Sequence, residues 1–369
     1  MNKLKIFAER RDRILKKYPD LPKEAAAVRK KAISGLPDLL SQCRKALKDK
    51  GCQVYLADSK EDARKMITDL LSGHGKVVRT YSSALREISF DTFLGDAGIQ
   101  VSKSHIGEIV AERVDMPAAP ALGDHPFLPW IDLPRKEIIQ ALRRYLTADE
   151  ALSSEELNRA AHRKIKQEIL QSDFGVTGVN GVAAENGTLV IAEDEGNCRA
   201  VSNLPFRHLA VAGIDKLSYS VEGSLKILEC QSVFGLGRRT PTYTSLISGP
   251  SRTGDIEFRI TFGMHGPKEV HVVLLDNGRT SLVEQGFGEL LECIDCGACY
   301  ESIAPAAEAN GWKGVSLTPK GIALGMVQGI LSNPETEPAI LSFSCPVNID
   351  GPRLGKILPQ IRSLVSRKT

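Results

Sequence analysis

The chain reads as an α/β domain with a mainly parallel sheet, followed by a small helical unit organised around cysteines. Three observations carry this expectation. Short apolar runs alternate with helical periodicity from residue 51 to about 275, the pattern turns helical and glycine-interrupted from Gly286 onward, and cysteines crowd that last stretch. At 369 residues the chain exceeds one comfortable core, which favours a large domain plus a smaller one. The expected boundaries are an N-terminal helical segment over 1–50 packed on the main domain, the α/β domain over 51–285 and the helical unit over 286–369.

Residues 22–49 have helical periodicity, with Leu36, Leu39, Leu40, Cys43 and Leu47 on one stripe and Gly51 as the stop. Gln53 to Ala57 reads as a strand. Ser59 with Asp62 three residues on opens a helix, and Lys76 to Arg79 is the next strand. Further strands are expected at Gly98 to Val101, Gly187 to Ala192, Leu209 to Ala212 and Val270 to Leu275, with helices near 135–147, 154–171 and 219–233. This βαβ rhythm implies parallel strands covered by helices. Pro117, Pro120, Pro126, Pro129 and Pro134 punctuate a loop that reads as an internal excursion. In the tail, a helix near 316–332, a turn from Asn333 to Pro338 and a final helix near 352–366 are expected. Roughly 80 residues bury little apolar surface, so whatever the cysteines bind is expected to serve as the core.

Residues 293 to 299 read Cys-Ile-Asp-Cys-Gly-Ala-Cys, and Cys345 is followed at once by Pro346. In bacterial-type ferredoxins three thiolates spaced two residues apart wrap one corner of a [4Fe–4S] cube, and a remote Cys-Pro reaches the remaining iron. Cys293, Cys296 and Cys299 fit the first role and Cys345 the second. A two-cluster protein would also need cysteines at Ile303, Glu335, Pro338 and Leu341, and all four are absent together. The pattern therefore predicts one [4Fe–4S] cluster. Structural zinc and no bound metal at all are the competing readings, although zinc sites usually come as two Cys-x-x-Cys knuckles. Small Gly297 and Ala298 let backbone N–H groups approach cluster sulfur. Cys43, Cys52, Cys198 and Cys230 lack ligand-like spacing and read as buried small hydrophobes.

Apolar residues at 42% and charged ones at 25%, with a net charge of +3 and no concentrated basic block, give no sign of nucleic-acid binding. The charged start and the lack of an apolar run near the ~20 residues of a bilayer span predict a cytoplasmic chain with no membrane span. A reducing compartment also keeps the eight cysteines free for metal.

Gly249-Pro250-Ser251-Arg252-Thr253-Gly254 reads as a turn whose N–H groups, hydroxyls and guanidinium suit a carboxylate or phosphate, so Ser251, Arg252 and Thr253 are candidate anion contacts; a plain structural turn is the alternative. Asn186-Gly187-Thr188 reads as a hairpin turn or a ligand-facing loop, which makes Asn186 and Thr188 candidates too. His208 and His265 are either substrate contacts or structural histidines. Gly235-Leu236-Gly237-Arg238-Arg239 lacks the third glycine of a dinucleotide fingerprint.

Residues 174–217, FGVTGVNGVAAENGTLVIAEDEGNCRAVSNLPFRHLAVAGIDKL, with GPSRTGDIE at 249–257 and FGMHGPKEVHVVLLDNGR at 262–279, closely resemble the LUD domain of lactate-utilisation proteins. The cysteine tail is similar to the ferredoxin-like region that follows this domain in the iron–sulfur member of that group. The resemblance implies a sugar-phosphate isomerase/CoA-transferase-like α/β domain and a part in an iron–sulfur complex oxidising L-lactate to pyruvate. Two segments depart from the family pattern: Glu185-Asn186-Gly187-Thr188, and Val78-Arg79-Thr80-Tyr81-Ser82-Ser83 after the second strand. One cluster moves one electron at a time, whereas this oxidation removes two. The expected role is thus an electron-transfer subunit or adaptor whose partners are other redox subunits, a cysteine-rich-domain or flavin protein, with a small carboxylate or phosphate as ligand. The alternative is an acyl- or phosphate-compound binding or group-transfer module whose cluster is structural or redox-sensing.

Overall fold

Strands occur in chain order as β1 (Gln53–Ala57), β2 (Lys76–Arg79), β3 (Gln100–Lys103), β4 (Phe174–Gly178), β5 (Gly181–Ala183), β6 (Thr188–Glu193), β7 (Arg207–Gly213), β8 (Leu217–Ser218), β9 (Tyr243–Ile247), β10 (Arg252–Ile256), β11 (Arg259–Phe262) and β12 (Glu269–Leu275). They come from a computed structural model that describes residues 3–111, 153–300, 316–330, 345–349 and 351–365, with isolated positions between. The proline-punctuated loop, almost all of the helix expected near 135–147, and the Asn333 to Pro338 turn lie outside the described residues, as do Glu335, Pro338 and Leu341.

Six strands form the main sheet in the order β1-β12-β7-β4-β2-β3, and every neighbouring pair is parallel. A parallel sheet needs cover on both faces, and the alternation of side chains along β7 and β12 meets it from both sides. Ala210, Ala212, Val270, Val272 and Leu274 face one way and pack with Leu39, Cys43 and Leu47 of helix Leu36–Asp49. Leu209, Val211, Val273 and Leu275 face the other way, onto Ala63, Ile67 and Leu71 of helix Lys60–Leu71. That helix is capped by Ser59, whose hydroxyl accepts from the Asp62 N–H, as its sequence predicts. A mixed sheet, β8-β5-β6-β9, and the hairpin β10-β11 complete the domain.

The single helix expected over 22–49 is two, Leu21–Ser34 and Leu36–Asp49. Pro37 has no N–H to continue the first helix, and a Cβ at Gly35 would stand 2.3 Å from the Tyr219 hydroxyl, so the chain turns here against Tyr219. The tail does not close on its own core. Leu290, Ile322, Leu324, Leu354 and Leu358 share one apolar cluster with Leu21, Ala25 and Ile33 of helix Leu21–Ser34 and with Ile227 and Val233 of helix Val221–Leu236. Gly237 is the left-handed C-cap of this last helix, which accounts for the second glycine of the Gly235–Arg239 segment.

Helix Ser154–Leu170, opened by a Ser153/Glu156 capping box, is tied to the sheet by Glu168. Its carboxylate lies 2.7 Å from Lys76 of β2, accepts from Ser102 of β3 at 2.6 Å, and pairs with Lys164. Burial would raise its pKa, but Lys164, Lys76 and Ser102 together hold it at about 2. A depressed carboxylate contributes stability above its unfolded pKa, near 4.5, that is lost as pH falls through the folded value. Urea unfolding from pH 6 down to about pH 2 should therefore show a loss in the wild type that is smaller in Glu168→Gln. Equal acid losses in the two proteins would contradict this account.

Candidate metal centre and adjoining crevice

After β2 the chain moves to β3 on one side, and after β4 it moves to β7 on the other, so the sheet has its topological switch between β2 and β4. Loops diverging from two such strand ends leave a crevice where ligands of open α/β sheets bind. Here the crevice has a cavity of about 140 Å³, lined by Thr80, Tyr81, Ser82, Ser83 and Arg86 after β2 and by Gly178, Val179 and Asn180 after β4. The two loops are so close that a Cβ at Gly178 would stand 2.1 Å from the Ser82 hydroxyl. Arg86 donates to the Tyr81 hydroxyl at 2.8 Å, which fixes one cation at the rim. A smaller cavity of about 50 Å³ adjoins it and shares Ser83, Arg86, Lys216, Asp295 and Ser316.

Asp295, which lines both cavities, sits between Cys293 and Cys296, so the cysteine loop forms one wall of the crevice. It is held by two cations. Lys216, just after β7, and Lys320 at 2.6 Å both pair with Asp295. Lys320 also reaches Asp215 at 2.5 Å, and Asp215 pairs with Arg279, which clamps Glu87 through both carboxylate oxygens at 2.8 and 2.9 Å. Burial alone would raise both aspartates. For Asp215 the charges of Lys320, Arg279 and Lys216 outweigh it, and for Asp295 those of Lys216 and Lys320 do, so both stay ionised well below the usual carboxylate range. Burial likewise works against the Lys320 ammonium, but Asp215 and Asp295 push its pKa up. Gln231 of helix Val221–Leu236 donates to the Ile294 carbonyl and pins the cysteine loop from behind.

Cys293, Cys296 and Cys299 are buried in one apolar cluster, and Cys345 packs against it. Burial pushes the Cys293 thiol up to about 12, with Asp295 adding to the rise and Lys320 opposing it. The main-chain N–H of Asp295 donates to the Cys293 sulfur at 3.5 Å, and those of Ile349, Val347 and Asn348 face the Cys345 sulfur. Gly297, with φ of +78°, lets the run double back between Cys296 and Cys299. Cys230, read from the sequence as a plain hydrophobe, lies in the same cluster. Among the described residues, no three His, Cys, Asp or Glu side chains are set to hold one metal ion. A four-iron cube binds each thiolate through a separate iron, and sulfur donors with main-chain N–H groups directed at them suit such a group.

The other predicted site residues are not in the crevice; they stand in three separate places. Ser251 donates its N–H to the Pro267 carbonyl at 2.9 Å, and Arg252 and Thr253 begin β10, so the N–H expected to be open at Ser251 is taken and the exposed turn is the start of a hairpin. Asn186 and Thr188 form the β5–β6 hairpin turn. Asn186 accepts from the Thr188 N–H at 3.1 Å, Thr188 bonds Ser248, and a Cβ at Gly187 would meet the backbone of Ala46 and Leu47 at 2.8 Å. His208 is enclosed in the sheet, 2.8 Å from the Thr177 hydroxyl, and burial followed by neighbouring His271 lowers its pKa to about 4. Sequence reasoning missed Arg86, Asp215, Lys216, Arg279, Asp295 and Lys320. Asp295 lay in view inside the cysteine run, and Asp215, Lys216 and Arg279 lay within the glycine-rich blocks 174–217 and 262–279; Arg86 and Lys320 gave no local signal.

The sequence pattern of the LUD domain matches residues 40–275, which span the main sheet from β1 to β12. The chain belongs to the LUD domain family. The match thus contains the switch-point strands and the loops after β2 and β4, while the crevice wall formed by the cysteine loop lies beyond residue 275, outside the match. Among curated relatives, an E. coli K12 protein named uncharacterized electron transport protein YkgF is 28% identical over 93% of this chain and 71% of its own length. Proteins named lactate utilization protein B from Macrococcus caseolyticus and Bacillus subtilis 168 are 27% and 26% identical over 82% and 87% of this chain. The chain spans 62% and 67% of those two relatives, and as little as 55% of another of that name from Geobacillus. A solved DUF162 family protein from Deinococcus radiodurans, 16% identical with a TM-score of 0.32, covers 65% of this chain and 98% of its own and adds nothing to the assignment. No helix among the described residues is long and apolar enough to cross a membrane.

Proposed function

We propose that this LUD domain protein is a one-cluster iron–sulfur electron-transfer subunit of a lactate-utilisation redox complex, with Cys293, Cys296, Cys299 and Cys345 as the ligands of a single [4Fe–4S] cluster. One observation carries the reading. The loop bearing three of the four thiols is also a wall of the switch-point crevice, joined to it through Asp295, Lys216 and Lys320. A small carboxylate or phosphate in that crevice would meet Arg86 and the hydroxyls of Thr80, Ser82, Ser83 and Ser316 within one wall of the cluster. The names of the relatives, electron transport protein and lactate utilization protein B, support the same role.

When bound, the cluster supplies a site that takes up and releases one electron. Conversion of a 2-hydroxy acid to a 2-oxo acid releases two electrons and two protons, so a second redox subunit, a flavin or cysteine-rich-domain protein, must share them. The chain's own residues do three things: the thiols hold the metal, the Asp295–Lys216–Lys320 ions fix the loop, and the apolar cluster of Leu290, Ile322 and Leu354 shields it from water.

The test is iron and acid-labile sulfide analysis of anaerobically purified protein, with low-temperature EPR after dithionite, beside Cys345→Ser. The expected result is about four iron and four sulfide per chain and a reduced signal that changes or vanishes in the variant. Zinc or no metal would overturn the proposal. A cluster that cannot be reduced would favour the binding-module reading, in which the metal is structural.

A further inference from the structure

Arg29 lies on helix Leu21–Ser34, remote in sequence from every cysteine of the tail, yet it is 0% exposed and heads the largest fully buried side chains described. Its helix contributes Leu21, Ala25 and Ile33 to the apolar cluster that holds Cys293, Cys296 and Cys299. A guanidinium carries five N–H donors and no acceptor. Nη1 donates to the main-chain carbonyl of Asp215, while Nε and Nη2, both shut off from solvent, have no partner among the described residues.

Burial is the dominant influence on this cation, the carboxylates near enough to oppose it are Asp215 and Asp295, and the sulfur of Cys293 is the next neighbour. Both carboxylates are already engaged elsewhere, Asp215 by Arg279 and Lys320 and Asp295 by Lys216 and Lys320. Glu87 is clamped by Arg279. Among the described residues of this junction, Arg29, Lys216, Arg279 and Lys320 face the three carboxylates of Glu87, Asp215 and Asp295. An unbalanced buried charge with unmade hydrogen bonds is costly. The third neighbour, Cys293, is a predicted ligand, and a four-thiolate cluster is anionic and presents sulfur acceptors where a protein thiol presents almost none.

We infer that Arg29 is a positioning residue for the cluster: its Nε–H and Nη2–H donate to sulfur on the Cys293 side, and its charge favours the reduced state. This rests on the cluster proposed above. The sign follows from electrostatics. Reduction adds one negative charge, a buried cation nearby stabilises that state, and the midpoint potential rises with it.

The experiment begins with iron and sulfide analysis, whose failure would overturn the cluster and the role of Arg29 with it, whereas a loaded cluster of unchanged potential in the variants would overturn the role of Arg29 alone. On cluster-loaded protein, EPR-monitored redox titrations are then run for wild type, Arg29→Lys, Arg29→Gln and the packing control Ile33→Val. Arg29→Gln should titrate at a more negative potential. Arg29→Lys, which keeps the charge but not the planar fork, should fall between it and wild type, with altered g-values of the reduced signal. Ile33→Val should match wild type in both. Should Arg29→Gln lose its cluster during purification, Arg29→Lys decides: wild-type potential and g-values in that variant would overturn the assignment, as would wild-type potentials in both.

Discussion

Asp215→Ala is expected to destabilise the fold by about 3–5 kcal/mol, the usual cost of removing one partner from a buried charge network. Asp215 is completely enclosed, and its two oxygens serve Arg279 and Lys320, one each. Without it, Lys320 keeps only Asp295, Arg279 keeps only Glu87, and Arg29 loses its main counter-charge. The damage should concentrate where the tail meets the sheet, because helix Pro319–Val327 is anchored there through Lys320. Urea unfolding at neutral pH measures the loss, and hydrogen exchange should show residues 316–330 deprotected first. Pairing the change with Lys320→Met, which removes the stranded ammonium, should restore part of it. The carboxyl is held well below its usual range, so its contribution persists above the unfolded pKa of about 3.8 and fades only as pH falls toward the lower folded value. A loss under about 1 kcal/mol, with or without the second change, would mean the network is not what joins tail to sheet.

The second large effect belongs to a glycine in the middle of the sheet. In Gly175→Ala the new Cβ would lie 1.8 Å from the Val201 carbonyl oxygen and 3.1 Å from the Pro205 ring. Backbone cannot swing aside as a side chain does, so helix Asn197–Asn203 must lift from β4, at a cost above the ~1–3 kcal/mol of ordinary overpacking. That helix carries Cys198 into the crevice, so the substitution should also disturb the switch-point loops. Gly95→Ala is the control. Nothing lies within 4 Å of its Cβ, and it sits in helix Phe90–Asp96, where alanine is favoured over glycine by about 0.5–1 kcal/mol. Thermal unfolding should separate the pair in opposite directions; similar midpoints would contradict the packing argument.

Much of the main sheet was legible because its signals are local. β1 and β2 occur where the alternation of Gln53–Ala57 and Lys76–Arg79 places them, β7 extends its expected strand by two residues at the start and one at the end, and β12 by one at the start. β4 and β5 were hidden because glycines at Gly175, Gly178 and Gly181 interrupt the apolar pattern, and those glycines are there for close packing against Val201, Ser82 and Ser224. The segment Gly249–Gly254 looked like a cradle for an anion because its composition suits one. Its place is decided by the neighbouring strand Arg259–Phe262, which no window of a few residues contains.

By itself the sequence determined the alternating α/β core, the family and the cysteine pattern, since each is written in spacing along the chain. Only the tertiary structure decided that the tail shares its core with the first helices, and that Arg29, Glu87, Asp215, Lys216, Arg279, Asp295 and Lys320 meet at one junction beside the crevice. The physical reason is that ion pairs leave no periodic mark. A charged residue reads as surface until the fold shows that an opposite charge, up to 192 positions away, has been buried with it.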